Sequence, residues 1–269
     1  MTRLREEWIC DMEETIASYE KELKTKISLD FAGLAAAAND ISRNEITETA
    51  ERETVAVVPI TTGMGIISTF ADSVAAIIRQ AGFSVFVTKA CDVDGIYEAH
   101  LRNASMLFMA DDNRFIGIHL RKNRMSDNNA GTARGYVKAL EQACGSLKGR
   151  EVLVLGCGIV GEEIGKYLQK RAARPVLYDK NDLLVQKISF ELGADFLSDC
   201  SRMKDFPLVM DATCEGEWIH EGMLHEEAWI STPGVPLSLD EAMKLKYKAH
   251  TIHDWLQIGT LAMLGELCK

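Results

Sequence analysis

The stretch EVLVLGCGIVGEEIGKYLQKR, Glu151 to Arg171, decides the fold. An apolar strand, Val152–Leu155, runs into Gly156-Cys157-Gly158-Ile159-Val160-Gly161, and Ile164 and Leu168 then recur at helical spacing. In such a strand–turn–helix, Gly156 permits the tight turn, Gly158 lets the backbone approach a pyrophosphate, and Gly161 lets the helix pack close on the strand. The amides at the helix start, around Ile159 and Val160, then point at the phosphates, and the helix dipole favours that charge.

Glycines alone would be weak evidence, because any tight turn between strand and helix uses them. Flavin and S-adenosylmethionine folds also share this turn. The context downstream is more specific. PVLYD forms a second strand ending at Asp179, 18 residues after Gly161. A carboxylate there meets the adenosine ribose hydroxyls and repels a 2′-phosphate, which favours NAD over NADP; Lys180 softens that preference. PLVMDATCEGE supplies a later strand whose end, Asp211 to Cys214 with Thr213 between, is expected to face the cofactor. WISTPGVPLS supplies another, with Pro233 and Gly234 turning the chain near the nicotinamide.

Upstream, Ile9, Met12, Ile16, Tyr19 and Leu23 fall on one helical face. LDFAGLAAAAND gives a second helix capped by Ser28 or Asp30. From Val55 the character changes: VAVVPI is a strand, TTGMG a loop, and IISTFADSVAAIIRQAG a helix closing on Gly82. FSVFVT, SMLFMA and RFIGIHL read as strands and DGIYEAHLRNA as a helix. Strands alternating with helices imply a parallel sheet covered on its faces. AGTARGYVKALEQACGSLKG is a linking helix, and KAHTIHDWLQIGTLAML a C-terminal one. The expected architecture is α/β: a helical segment over 1–54, an α/β substrate domain over 55–135, and a Rossmann dinucleotide-binding domain over 136–269. The active site is expected in the cleft between them.

With 47% hydrophobic and 26% charged residues, the composition is that of a globular protein. A net charge of -10 argues against nucleic acid. The N-terminus lacks a signal-peptide core, and no apolar run nears the roughly 20 residues that span a bilayer. Seven cysteines without a C-x-x-C pair read as free thiols in a cytoplasm, not as metal ligands. His250 and His253 lack a companion carboxylate motif, so no metal is expected. A homodimer is left open.

The substrate side offers several polar candidates. Amides after Gly63-Met64-Gly65 could hold a small anion, with Thr61, Thr62 and Ser68 supplying hydroxyls, or the glycines could serve an ordinary loop. Asp111 and Asp112 end the apolar run Met106–Met109, where open α/β sheets place their ligands. An ionised carboxylate in a desolvated cleft needs a cation, and an ammonium group is its natural partner. The alternative is that both are solvated loop acids with Arg114 nearby. In SDNN, Asp127 or an Asn reads as a helix cap, although an amide there could orient a polar substrate. Spacing alone makes Phe70 a core residue.

TTGMGIISTFADSV, FVTKACDVDGIYEA, MADDNRFIGI, SDNNAGTARGY and EVLVLGCGIVG, in that order, resemble the pyrrolysine-biosynthesis dehydrogenase family over roughly residues 55–269. The first 50 residues match in character more than in sequence. The resemblance implies NAD-dependent oxidation in the last step of pyrrolysine formation. The substrate would be lysine acylated on its side-chain nitrogen by 3-methyl-D-ornithine. The carbon bearing the terminal amine would become an imine or semialdehyde, and the α-amine would then close the pyrroline ring with loss of ammonia and water. Carried over by position, Phe70, Asp111 and Asn128 would line the substrate site. Asp111 would hold an amine, while the glycine fingerprint and Asp179 would hold NAD. Two other readings stand beside this one: another NAD-dependent amino-acid or one-carbon dehydrogenase, and a non-catalytic NAD-sensing protein.

Overall fold

The computed structural model describes residues 4–269. The chain forms two compact units, one comprising residues up to Gly135 together with Trp255–Lys269, the other Tyr136–Asp254. Each is described by itself below.

The first unit opens with α1 (Met12–Ile27), α2 (Phe31–Ala38) and α3 (Arg43–Arg52). Asp30 caps α2 by accepting from the Gly33 amide, while Ser42 and Glu45 close a reciprocal capping box on α3. Met12, Ile16 and Leu23 are buried on one face of α1 and Tyr19 is half-buried there, while Ile9, also buried, precedes the helix in a turn after a short 3-10 segment. The sheet follows: β1 (Thr54–Pro59), α4 (Phe70–Gln80), β2 (Ser84–Val87), α5 (Asp92–Leu101), β3 (Met106–Ala110), β4 (Phe115–His119) and β5 (Arg124–Asp127), then α6 (Asn128–Cys144), whose residues from Tyr136 on belong to the second unit. Strand order is β2-β1-β3-β4-β5.

This sheet is mixed. β1 runs parallel to β2 and β3, but β4 and β5 are antiparallel to their neighbours. The reason is connection length: only Asp111–Arg114 separate β3 from β4, and a parallel crossover needs a dozen residues or more. β5 itself lies in a stretch whose sequence reads as a turn.

The second unit holds β6 (Glu151–Leu155), α7 (Ile159–Lys170), β7 (Arg174–Tyr178), α8 (Asp182–Leu192), β8 (Asp195–Phe196), β9 (Leu208–Asp211), β10 (Trp229–Thr232), α9 (Glu241–Lys246) and β11 (Thr251–His253). Its six strands are all parallel, in the order β11-β10-β9-β6-β7-β8. Renumbered within the unit and read from the β8 edge this is 3-2-1-4-5-6, the doubly wound Rossmann order, with its switch point between β6 and β9.

Two expectations need correction at the C-terminus. His250 and His253 do not share the C-terminal helix: His250 closes a short 3-10 turn, Lys248–His250, and His253 lies in β11, which extends the sheet. The last helix, α10 (Gln257–Cys268), belongs to the first unit and not to the Rossmann unit. Every residue of α10 except Glu266 is buried. A helix apolar all round must be wrapped on every side. α2, α4, β4 and β5 do this, and the buried Asn39 amide donates to both Ala35 and Ala262 carbonyls across the α2–α10 contact.

The first sheet buries a histidine whose protonation bears on stability. His119 is fully buried, neither ring nitrogen has a hydrogen-bond partner among the described residues, and Glu53 lies 3.8 Å away. Burial pulls its pKa below the ordinary value of 6.5, with Glu53 opposing. The unfolded chain therefore takes up the proton first, and stability falls as pH drops from about 6.5 toward the lowered folded value. His253, also held low by burial, acts in the same direction. Urea midpoints at pH 7.5 and 5.5 are expected to differ less in His119→Leu than in the natural chain. An equal difference would show that His119 is not titrating across that range.

Candidate functional site

In the Rossmann unit the glycine turn leaves the carboxyl end of β6, beside the switch point. Gly156 has φ +86°, the left-handed region that disfavours side chains, and its amide donates to the Tyr178 carbonyl. A Cβ on Gly161 would stand 1.8 Å from the Gly156 carbonyl oxygen, so α7 packs on the turn only because that position is bare. Gly158 differs from both. A Cβ there would meet no atom within 4 Å and would project into open space at the N-cap of α7. The first amides of α7, at Ile159 and Val160, have no intrahelical acceptor. A bare, open N-cap with unspent amides fits a pyrophosphate.

A cavity of about 420 Å³ opens here, walled by Gly156, Gly158, Asp179, Leu184, Thr213 and Trp218 among others. Tyr178, Cys214, Lys180 and Glu215 complete the polar part of that wall. Gly161, Ile159, Val160 and Pro233 do not line it.

Asp179 sits between the turn and the end of β7. One oxygen accepts from the Cys157 amide at 2.7 Å and the other from the Asn181 amide at 2.9 Å. The carboxylate thus ties the glycine turn to the α8 entry, and its remaining lone pairs can still accept ribose hydroxyls. Cys157 itself is inert: burial, then the Asp179 charge, push its thiol pKa up to about 12.

Sequence reasoning missed how Asp211 works. It is fully buried at the end of β9 and takes four donors: the Thr213 amide and hydroxyl on one oxygen, the Thr232 and Ser238 hydroxyls on the other. The Thr213 hydroxyl also accepts from the Trp218 indole at 3.2 Å. Thr213 therefore spends its hydroxyl on shaping the cavity wall. The available signal was an aspartate closing an apolar strand, the same signature that marked Asp179. Trp218 and Ser238 carry no comparable sign in the sequence.

The first unit has its own switch point, between β1 and β3. A small cavity of about 70 Å³ lies there, lined by Pro59, Ile60, Gly65, Phe70, Asp111 and Asp112 among others. The two aspartates divide their work. Asp112 accepts from the Met64 amide at 2.5 Å and packs so close to Gly63 that a Cβ there would overlap its carboxylate. Asp111 turns one oxygen onto the amides of Asn113 and Arg114, at 2.8 and 2.7 Å. Its other oxygen has no hydrogen-bond partner among the described residues. The Arg114 guanidinium turns away to Asp127, 3.7 Å distant.

Phe70 serves both readings, lining the cavity while meeting Phe115 edge-on at 5.4 Å. Thr61 and Ser68 do not line it. Thr61 donates its amide and hydroxyl to Asp92, and Ser68 donates to Glu6. These anchors, with Asp112 on Met64, hold residues 60–69 as a loop, so α4 begins at Phe70 and not at Ile66 as expected. Asn128 opens α6 at the same end of the sheet as Asp111, since Ala110 pairs with Phe115 and Ile116 with Asp127. Its side-chain oxygen accepts from Thr132, and Asp127 supplies the cap to the Asn129 amide.

Fold and site together define a protein with a Rossmann-type unit whose glycine turn opens at the sheet's switch point, the fold also found in dehydrogenases. Among solved structures the chain resembles the bifunctional methylenetetrahydrofolate dehydrogenase/cyclohydrolase of Campylobacter jejuni, at TM-score 0.54 and 14% identity over 96% of this chain and 95% of that one. It also resembles shikimate 5-dehydrogenase of Thermus thermophilus, solved with NADP(H) and shikimate, at TM-score 0.51 and 15% identity over 80% and 91%. Residues 9–126 match the family described as pyrrolysine biosynthesis protein PylD, N-terminal domain. A pyrrolysine synthase of Methanosarcina barkeri (strain Fusaro) is 36% identical over 212 residues, covering 79% of this chain and 80% of the relative. Another, of Methanosarcina acetivorans, is 32% identical over 79% and 81%. The chain belongs to the pyrrolysine synthase family.

Proposed function

We propose that this protein is the NAD-dependent dehydrogenase of the last step of pyrrolysine formation, acting on L-lysine-Nε-3-methyl-D-ornithine. The observation that carries the reading is Asp111, which keeps one carboxylate oxygen unspent on a cavity at a sheet switch point. Membership of the pyrrolysine synthase family supports a substrate that leads to pyrrolysine, and the open glycine cradle with Asp179 suits NAD. NAD, when bound, supplies the two-electron acceptor for the carbon that bears the ornithine's terminal amine.

Asp111 is a positioning group in this reading. The cavity of about 70 Å³ admits the tip of a chain and not a whole dipeptide-sized substrate, so an ammonium group is what would enter beside the carboxylate. The carbon can be oxidised only when the attached nitrogen has a lone pair, so the ammonium must shed a proton. A nearby carboxylate orients the amine but also stabilises its charged form. Water therefore takes the proton, and Asp111 fixes where the amine sits. Loss of two electrons and a proton from carbon gives the iminium ion, which sheds a proton from nitrogen to solvent as the imine. Hydrolysis takes up one water and releases ammonia, and condensation of the α-amine on the aldehyde returns that water as the ring closes. Phe70 and Asn128 line the substrate in this reading, and cytoplasmic placement suits the free thiols.

The test is direct. Purified protein given NAD and the methylornithyl-lysine is expected to yield NADH together with a product of pyrrolysine mass. NADH formation from a different amino acid or a folate alone would replace the substrate assignment. NAD binding without turnover on any of them would leave a nucleotide sensor.

A further inference from the structure

We propose that the Lys180–Glu215 ion pair sets the choice between dinucleotides, with Glu215 removing a cation that would otherwise welcome a 2′-phosphate. The inference rests on reading the larger cavity as the dinucleotide site. Lys180 follows Asp179 directly and lines the same cavity. By itself it would contradict its neighbour: Asp179 repels a 2′-phosphate, whereas an adjacent flexible ammonium attracts one. Glu215 resolves the conflict. It arrives from the segment after β9, also lines the cavity, and places a carboxylate oxygen 2.5 Å from the ammonium nitrogen. The hydrogen bond to Glu215 holds the lysine above its ordinary pKa, so the ammonium stays charged and paired.

The pair has little structural work to do. Its side chains are 80% and 57% exposed, and exposed pairs contribute little to stability. What it changes is local charge. Asp179, Lys180 and Glu215 sum to one negative charge around the ribose position, which disfavours a dianionic phosphate. Without Glu215 the sum is zero, and the freed ammonium can swing onto the phosphate as a hydrogen-bonded point charge.

The experiment measures NADH and NADPH dissociation constants by nicotinamide fluorescence at low ionic strength. The proteins are the natural chain, Glu215→Gln, Lys180→Met and the double variant. Glu215→Gln is expected to shift the affinity ratio toward NADPH by about tenfold, a size set by one cation meeting a phosphate near solvent. The double variant is expected to lose that gain, and added salt to shrink it. An unchanged ratio in Glu215→Gln, or a gain that persists without Lys180, overturns the proposal. Binding of neither dinucleotide to the natural chain overturns the dinucleotide reading along with it, which separates the two failures.

Discussion

Asp111→Asn is expected to lower turnover of the methylornithyl-lysine by about 100-fold or more, the scale of losing a substrate-orienting contact. NADH affinity is expected to stay within about twofold, since the substitution lies in the other unit and a binding effect that small is noise on the scale of a lost contact. Asparagine keeps a side-chain oxygen in the same place, so the amides of Asn113 and Arg114 retain their acceptor and the loop keeps its shape. What disappears is the negative charge on the oxygen that has no hydrogen-bond partner among the described residues. The substitution thus separates charge from architecture, which Asp111→Ala would not. Steady-state kinetics with a melting curve alongside decide the matter. A near-normal kcat/KM in a folded variant would remove Asp111 from the substrate site.

The second large effect contrasts two glycines three residues apart. Gly161→Ala is expected to destabilise the fold by about 3 kcal/mol, because its Cβ would overlap a backbone carbonyl that has nowhere to move. Dinucleotide binding is lost with it. Gly158→Ala is expected to melt close to the natural temperature, since its Cβ would touch nothing within 4 Å. It is nevertheless expected to weaken NADH binding by about 100-fold, as the methyl occupies the space through which a phosphate approaches the α7 amides. Calorimetry and NADH titration on both variants check this. Equal NADH affinity in Gly158→Ala and the natural chain would move the pyrophosphate away from this turn.

Much of the fold was legible because local chemistry and tertiary context agree. The β6–α7 glycines each answer a separate steric demand, and those demands are written in single positions. Asp179 was legible for a similar reason: an acid placed directly after an apolar strand has few uses inside a sheet. The parallel order of the second sheet follows from long connections between its strands, most of them helical, since a parallel pair needs a crossover of a dozen residues or more.

Other features were hidden because their causes lie far away in the chain. Ile66 and Ile67 read as the start of α4, yet Asp112, Asp92 and Glu6 hold the segment around them as a loop. No property of residues 61–69 announces anchors that stand up to 62 positions off. The Thr61 and Ser68 hydroxyls were drawn to those carboxylates for the same reason. Residue type and spacing alone do not separate Asp111 from Asp112, and only the resemblance singled out Asp111. The different amides they meet, one pair local and one from Met64, make one a loop anchor and leave the other an oxygen to spare.

By itself the sequence determined a doubly wound dinucleotide-binding unit, a helical and α/β unit before it, and carboxylates at the strand ends. These follow from periodicity, glycine sterics and charge next to apolar runs, all of which act over a few residues. Only the tertiary structure decided that α10 returns to the first unit, that Asp211 is a buried hub for Thr213, Thr232 and Ser238, and that Glu215 captures Lys180. Each of these joins groups distant in sequence, and such pairing is fixed by which surfaces the chain must bury together.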